Sequence, residues 1–206
     1  MTFTISAVDY DDAQGVSENN MTAFYHTDAH WRALWKSTTL EEIIRGAAAR
    51  MPHGLASGRE GKRHLKATDD DTGEIIGYAR WILPDARSTL KWPEALVREP
   101  TDDESESFKA KFQANTEEGM IPGMDWRLQE ALGLPLENAE IELMKSLERP
   151  FLGIASALVK KGLEQADAVG MKVWVMATMA AQPMYQKLGF QLLKTVETNV
   201  IEFGIE

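Results

Sequence analysis

The 206 residues include no cysteine. A disulfide framework, a thiol nucleophile and thiolate metal sites are excluded, and a reducing compartment fits. Chemistry must come from oxygen and nitrogen side chains or from a bound cofactor. Basic residues are few beside acidic ones, 22 Lys and Arg against 32 Asp and Glu, for a formal net charge of −10. Nucleic-acid affinity rests on clustered Lys and Arg, so no nucleic-acid partner is expected. No apolar run is long enough to span a membrane, and "MTFTISAVDYDDAQ" shows no basic segment leading into an apolar one. We expect a soluble, cytoplasmic chain with no membrane partner. Internal repeats, low-complexity tracts and an HExxH zinc motif are also missing.

The patterns that are present alternate between the two regular periods. Phe3 to Val8 alternates as a strand, and a helix follows acidic and Ser-type starters. "TLEEIIRGAAARM", from Thr39, puts Leu40, Ile43, Ile44 and Ala47 on one helical face, with an acidic first turn and Pro52 near its end. His64 to Ala67 and Ile75 to Leu83 flank an Asp, Thr and Gly turn and read as a hairpin. From about 85 to 125 the chain becomes Pro-containing and acidic; we expect an insertion or lid whose middle forms a solvated helix. "MDWRLQEALG" reads as a short helix, "AEIELMKSL" as a strand, and the segment up to Gly170 as an amphipathic helix. "KVWVMAT" reads as a buried strand, "AAQPMYQKLG" as a short helix and "FQLLKTVETNVIEFGI" as a closing β pair. The order implies an α/β domain over residues 1–206, with an antiparallel half and a crossover half.

The turn in "LERPFLGIASALVKK" stands where such folds place an anionic cofactor. Gly153 and Ala155 are small enough for backbone N–H groups to approach a phosphate at a helix N-terminus. The same Gly153 also suits close strand-to-helix packing alone.

The segment "GIASALVKKGLEQADAVGMKVWVMATMAAQPMYQKLGF" resembles the core of the GCN5-related N-acetyltransferases, the fungal branch in particular. The likeness extends to "FTISAVDYDDA", "AFYHTDAHWRALW" and "LKATDDDTGEIIGYARWILPD", leaving out the acidic insertion. "PMYQKLGF" is its most specific part: a short helix carries a tyrosine, ends in Gly and leaves through Phe. The resemblance implies a mixed, mostly antiparallel central sheet flanked by helices, and acetyl-CoA as cofactor. It implies that the strand holding Met144 and Ser146 pairs with the pantetheine arm. Arg149, Gly153, Ile154, Ala155 and Ser156 would then hold the pyrophosphate. Pro150, which has no N–H, stands where the family pattern has Gln or Arg, so the loop departs from that pattern.

Tyr185 is implied as the general acid for the departing thiolate, its phenol being protonated at neutral pH. Packing under the sheet is the alternative. Glu142, two residues from Glu140 and on the same face of the expected strand, is implied as the base that deprotonates an incoming ammonium; a solvated edge carboxylate is the alternative. His26 and His30 are four apart, but no third ligand is evident and no metal site is expected. His26 stands in a region that faces the substrate cleft in the resembling family. Tyr25, Trp35, Trp81 and Trp126, with Trp31, lie near expected element ends and suit the lining of a hydrophobic pocket, or serve as separate core anchors.

These readings converge on an acetyltransferase acting on an amine or hydroxyl of a small hydrophobic metabolite, of the kind secondary metabolism makes, as a monomer or homodimer. Two alternatives stay open. One is a protein of this fold that has lost acetyl-CoA chemistry and binds or converts such a metabolite by cyclisation, isomerisation or decarboxylation. The other is a noncatalytic interaction module.

Overall fold

The computed structural model describes residues 2–35, 37–83, 92–146, 156–199 and 201–203. Its centre is an antiparallel sheet of order β1-β2-β3, formed by Phe3–Ala7, Lys62–Asp69 and Ile75–Ile82. Phe3 stands opposite Asp69 and Ala7 opposite Leu65, while Arg63 faces Trp81 across the β2–β3 ladder. The hairpin turn is set by Asp69, whose carboxylate accepts the backbone N–H groups of Asp71 and Thr72 at 2.9 and 3.0 Å. This is the local bonding that makes Asp a turn residue.

Each strand sends alternate side chains to opposite faces, and helices cover both. On one face, Leu65, Ala79 and Trp81 join Leu83, Trp92 and Ala95 against Leu158 of α6 (Ser156–Ala168). Toward the other lie α1 (Ala13–Thr27) and α3 (Leu40–Ser57), where Val16 and Leu55 share a cluster with Val8, Tyr10 and the half-buried Ile75 and Tyr78. Lys66 on β2 is ion-paired with Asp12 at the start of α1. Thr39 and Glu42 close a reciprocal cap on α3, and the helix continues through Pro52 to Ser57, beyond the end expected from the sequence.

The acidic segment contains the expected helix, α4 (Asp102–Ala114), but it is docked rather than solvated all round. Phe108 is buried with its ring centroid 4.6 Å from that of Tyr10, and Phe112 lies 4.6 Å from His53 on α3. Arg98 forks onto Glu104 at 2.6 and 2.8 Å, reaches Asp9 at 3.1 Å and lies over the Tyr10 ring. Those charges are in contact with solvent and contribute orientation more than energy. The buried Phe108 contributes about 1.5–3 kcal/mol by leaving water.

The second half departs from the expected strands. "AEIELMKSL" belongs to α5, one helix over Trp126–Ser146. Glu and Ile alternate there for only a few residues, while Leu128, Leu132 and Ala139 recur at helical spacing through a stretch rich in Leu, Glu and Ala. "KVWVMAT" and residues 190–199 form no strand among the described residues, whereas α7 (Gln182–Lys187) forms where expected.

The tightest junction of sheet and helix is at Gly162 on α6. A Cβ there would overlap the six-membered ring of Trp81, a side chain fully buried in the sheet. Gly162→Ala gains about 1 kcal/mol of helix propensity at an ordinary helical site, but the overlap costs about 1–3 kcal/mol or more. We expect net destabilisation, read as a lower urea midpoint with an unchanged slope.

Candidate functional site

Residues singled out from the sequence gather at two places, with Tyr185 on α7, and a third place holds a pair that the sequence did not single out. The first surrounds the C-terminal end of α5 and the start of α6. Glu140, Glu142, Met144 and Ser146 all belong to α5. This corrects the strand expected there: helical N–H and C=O groups bond within the helix, so residues 141–146 offer no strand edge to a pantetheine arm. Arg149, Gly153, Ile154 and Ala155 lie outside the described residues. Ser156 is exposed and opens α6, so its N–H belongs to the first turn, whose donors have no partner within the helix.

Tyr185 occupies α7. It is 4 % exposed, its ring meets Phe190 edge-on at 5.3 Å, and its carbonyl accepts the Phe190 N–H at 3.1 Å. Gly189 between them is left-handed, with φ of 91°. The expected sequence of short helix, Gly and Phe is therefore present, with the tyrosine turned into the protein.

The second place is the elbow between α1 and α2 (Ala29–Ala33). Asp28 leaves helical geometry and caps α2 by accepting the N–H groups of His30 and Trp31, both at 3.0 Å. His26 and His30 thus sit on different helices, not on one face of a single helix as their spacing suggested. Phe24 stacks on Trp31 at 5.9 Å, Trp31 tilts against Trp35 at 5.6 Å, and Tyr25 lies edge-on to His26 at 5.5 Å. Tyr25 and Trp35 are packed in one cluster, with His26 exposed beside them. Trp126 begins α5 half-exposed, and α5 joins this cluster through Leu128 and Leu132. Trp81 does not join it, because its side chain is on the α6 face of the sheet. Phe24 was not singled out from the sequence; its one-residue offset from Tyr25 gives no sign that α1 stops three residues later.

The third place was not anticipated. His64 on β2 and Tyr78 on β3 share a hydrogen bond of 2.8 Å between Nδ1 and the phenol oxygen, with rings stacked at 6.0 Å. Both project to the α1 and α3 side of the sheet, and His64 Nε2 is buried without a partner among the described residues. Burial, reinforced by Arg80, Lys62 and Arg63, presses the imidazole pKa down to about 3, and burial pushes the Tyr78 phenol up to about 12. Both are neutral near pH 7, a donor–acceptor pair rather than charged groups. The hairpin register carries the signal, since Tyr78 is a diagonal neighbour of His64.

A depression of about 460 Å³ lies where α3 meets the ends of β2 and β3, lined by Gly58, Arg59, Gly61, Lys62 and Ile82 among others; none of the singled-out residues borders it. No group of three His, Asp or Glu among the described residues could hold a metal ion. No helix among them is long and apolar enough to cross a membrane.

No family model matches the chain, and no curated protein matches it. Among solved structures, it is similar to glucosamine-6-phosphate N-acetyltransferase from Arabidopsis thaliana, at 10% identity and a TM-score of 0.46 over 97% of this chain and 98% of that one. An acetyltransferase from Trypanosoma brucei matches at 12% identity and 0.42, over 96% and 99% of the two chains. A predicted acetyltransferase with acetyl-CoA from Clostridium acetobutylicum matches at 11% identity and 0.42, over 98% of each.

The His64 environment has a measurable consequence. The unfolded chain's imidazole titrates near the ordinary value of about 6.5, while the folded one stays neutral down to about 3. Below pH 6.5 the unfolded state takes up a proton that the folded state refuses, so stability falls as pH drops through that window. Between pH 7 and pH 5 the loss from this group is about 1–2 kcal/mol. His64→Gln, which does not titrate, is expected to flatten the pH dependence of the urea midpoint in that interval; an unchanged slope would place the charged imidazole in water.

Proposed function

We propose that the chain is a GCN5-related acetyltransferase that moves an acetyl group from acetyl-CoA to an amine or hydroxyl of a small hydrophobic metabolite. The observation that carries this reading is α7. The most specific part of the sequence resemblance folds as a short helix with Tyr185 buried beside Phe190, turning at the left-handed Gly189. In this reading residues 1–206 form one domain, with about 85–125 as its insertion.

The donor set fits the cofactor at one end and not at the other. The first turn of α6, opened by Ser156, presents N–H groups and a positive dipole end suited to a pyrophosphate, and Arg149, Gly153, Ile154 and Ala155, outside the described residues, are the further pyrophosphate ligands of this reading. The helical course of Glu142, Met144 and Ser146 does not supply an extended edge for the pantetheine amides. Acetyl-CoA, when bound, supplies the activated acetyl thioester. Tyr185 Oη holds the proton that the leaving sulfur needs, and Glu142 is the carboxylate to deprotonate an acceptor ammonium. With acetyl-CoA bound, the acceptor would attack the thioester directly, without a covalent enzyme intermediate. The acceptor side is the aromatic elbow with Tyr25, His26 and Trp35; Trp126 borders it, and Trp81 supports the sheet from behind. The reading places the reaction in the cytoplasm, in a monomer or homodimer.

The missing strand edge favours one other reading: a protein that has lost acetyl-CoA chemistry and converts a hydrophobic metabolite with its Tyr, His and Glu side chains. The two separate in a thiol-release assay with acetyl-CoA and a panel of aryl amines and alcohols. Tyr185→Phe is expected to lower kcat by about 10²-fold with acetyl-CoA affinity unchanged, because the hydroxyl acts in the transition state. Full activity in that variant would remove Tyr185 from the mechanism, and CoA-independent turnover would support the other reading.

A further inference from the structure

Trp35 is 6 % exposed, yet its indole N–H has no acceptor among the described residues. Buried indole N–H groups nearly always have one. The side chains packed in its cluster, including Ile43, Leu128, Trp31, Ile121 and Met124, supply hydrocarbon and ring faces instead.

The wall of this cluster is built mostly from α1, α2, α3 and α5, whose backbones bond internally. Ile121 belongs to a different kind of element. It sits between Gly119 and Gly123, both left-handed with φ of 85° and 77°, a conformation open to glycine and costly for other residues. The strap is tied down by few bonds. Glu117 and Met120 exchange backbone bonds at 2.8 and 2.9 Å, the Met124 N–H donates to the Ile121 carbonyl at 3.4 Å, and Thr38 Oγ1 donates to the Gly123 carbonyl at 3.3 Å. The Asp125 N–H donates to Leu34 at 2.8 Å, fixing the point where the strap enters α5. Met120 at its crest is 45 % exposed. Among the described residues, the side of the cluster flanked by two glycines can therefore yield without breaking a helix.

We propose that Trp35 is the hydrogen-bond donor of a binding site for a flat, apolar ligand with a single carbonyl acceptor, an aryl ketone or its equivalent, admitted when the strap at 119–123 lifts. The ligand body takes the position of Ile121 against the Trp31 and Trp35 rings, and its carbonyl oxygen accepts from Trp35 Nε1. This rests on the reading of the α1–α2 elbow as the acceptor side, where an acceptor would carry its amine or hydroxyl on the same carbonyl-bearing body, but binding itself needs no CoA and no transfer.

The test is a titration of the intact, nitrogen-15-labelled chain with acetophenone and, separately, with ethylbenzene, which has the same outline without the carbonyl. Acetophenone is expected to give a saturable downfield shift of the Trp35 indole proton, and ethylbenzene is not. Trp35→Phe should weaken acetophenone by roughly tenfold and leave ethylbenzene unchanged. Ile121→Ala leaves Trp35 in place and should strengthen both ligands several-fold, so the proposal remains testable if Trp35→Phe fails to fold. Equal indole shifts with the two ligands, or no saturable shift up to their solubility, would overturn it. Because CoA is absent throughout, failure here leaves acetyl transfer untouched, and failure of acetyl transfer leaves this result standing.

Discussion

The close approach of Trp81 to Gly162 sets the distance between the sheet and α6. Trp81 has no exposed surface, and the helix can lie over its ring only because position 162 has no side chain. That packing locates α6 from its first residue, Ser156, and so locates the helix end whose dipole favours negative charge. The other face is held differently. Lys66 pairs with Asp12, and Tyr78 and Ile75 join the α1 and α3 cluster, so the same two strands carry a helix layer on each side. With Gly162 blocked, β2 and β3 would still pair, but their apolar face would lose its fitted cover.

Two further regions take their positions from this core. The aromatic elbow exists because Asp28 ends α1 and caps α2 within one residue, which sets Trp31 on Phe24 and against Trp35. The acidic segment is held by burial of Phe108 on Tyr10, while the fork from Arg98 to Glu104 and Asp9 fixes its orientation. An acidic composition therefore coexists with a docked helix, because one well-placed aromatic outweighs several solvated charges.

The N-terminal half was legible because its signals are local and redundant. The strand period of Ile75 to Leu83, the Asp turn and the acidic start of α3 each point to the element that forms there. α7 was legible for the same reason: Pro183 near its start and Gly189 past its end bracket six residues. "AEIELMKSL" was misread because four alternating residues fit a strand and a helix equally, and the helical face is visible only when Leu128 and Leu132 are counted in. Trp81 stayed open between pocket lining and core anchor because its place near the end of β3 is clear from sequence, while its apposition to Gly162, eighty-one positions away, is not. The His64 and Tyr78 pair escaped notice because it depends on hairpin register, which becomes fixed only when the turn is closed.

The central functional claim is that this fold holds a CoA thioester. Thermal unfolding with increasing CoA tests it most directly. A ligand bound only by the folded state contributes about 2.7 kcal/mol at a hundred times its dissociation constant, which for a chain of this size raises Tm by roughly 5–10 °C. The account predicts a saturable rise of that order, reduced more by Arg149→Ala than by Lys160→Ala. An unchanged Tm at millimolar CoA would contradict it.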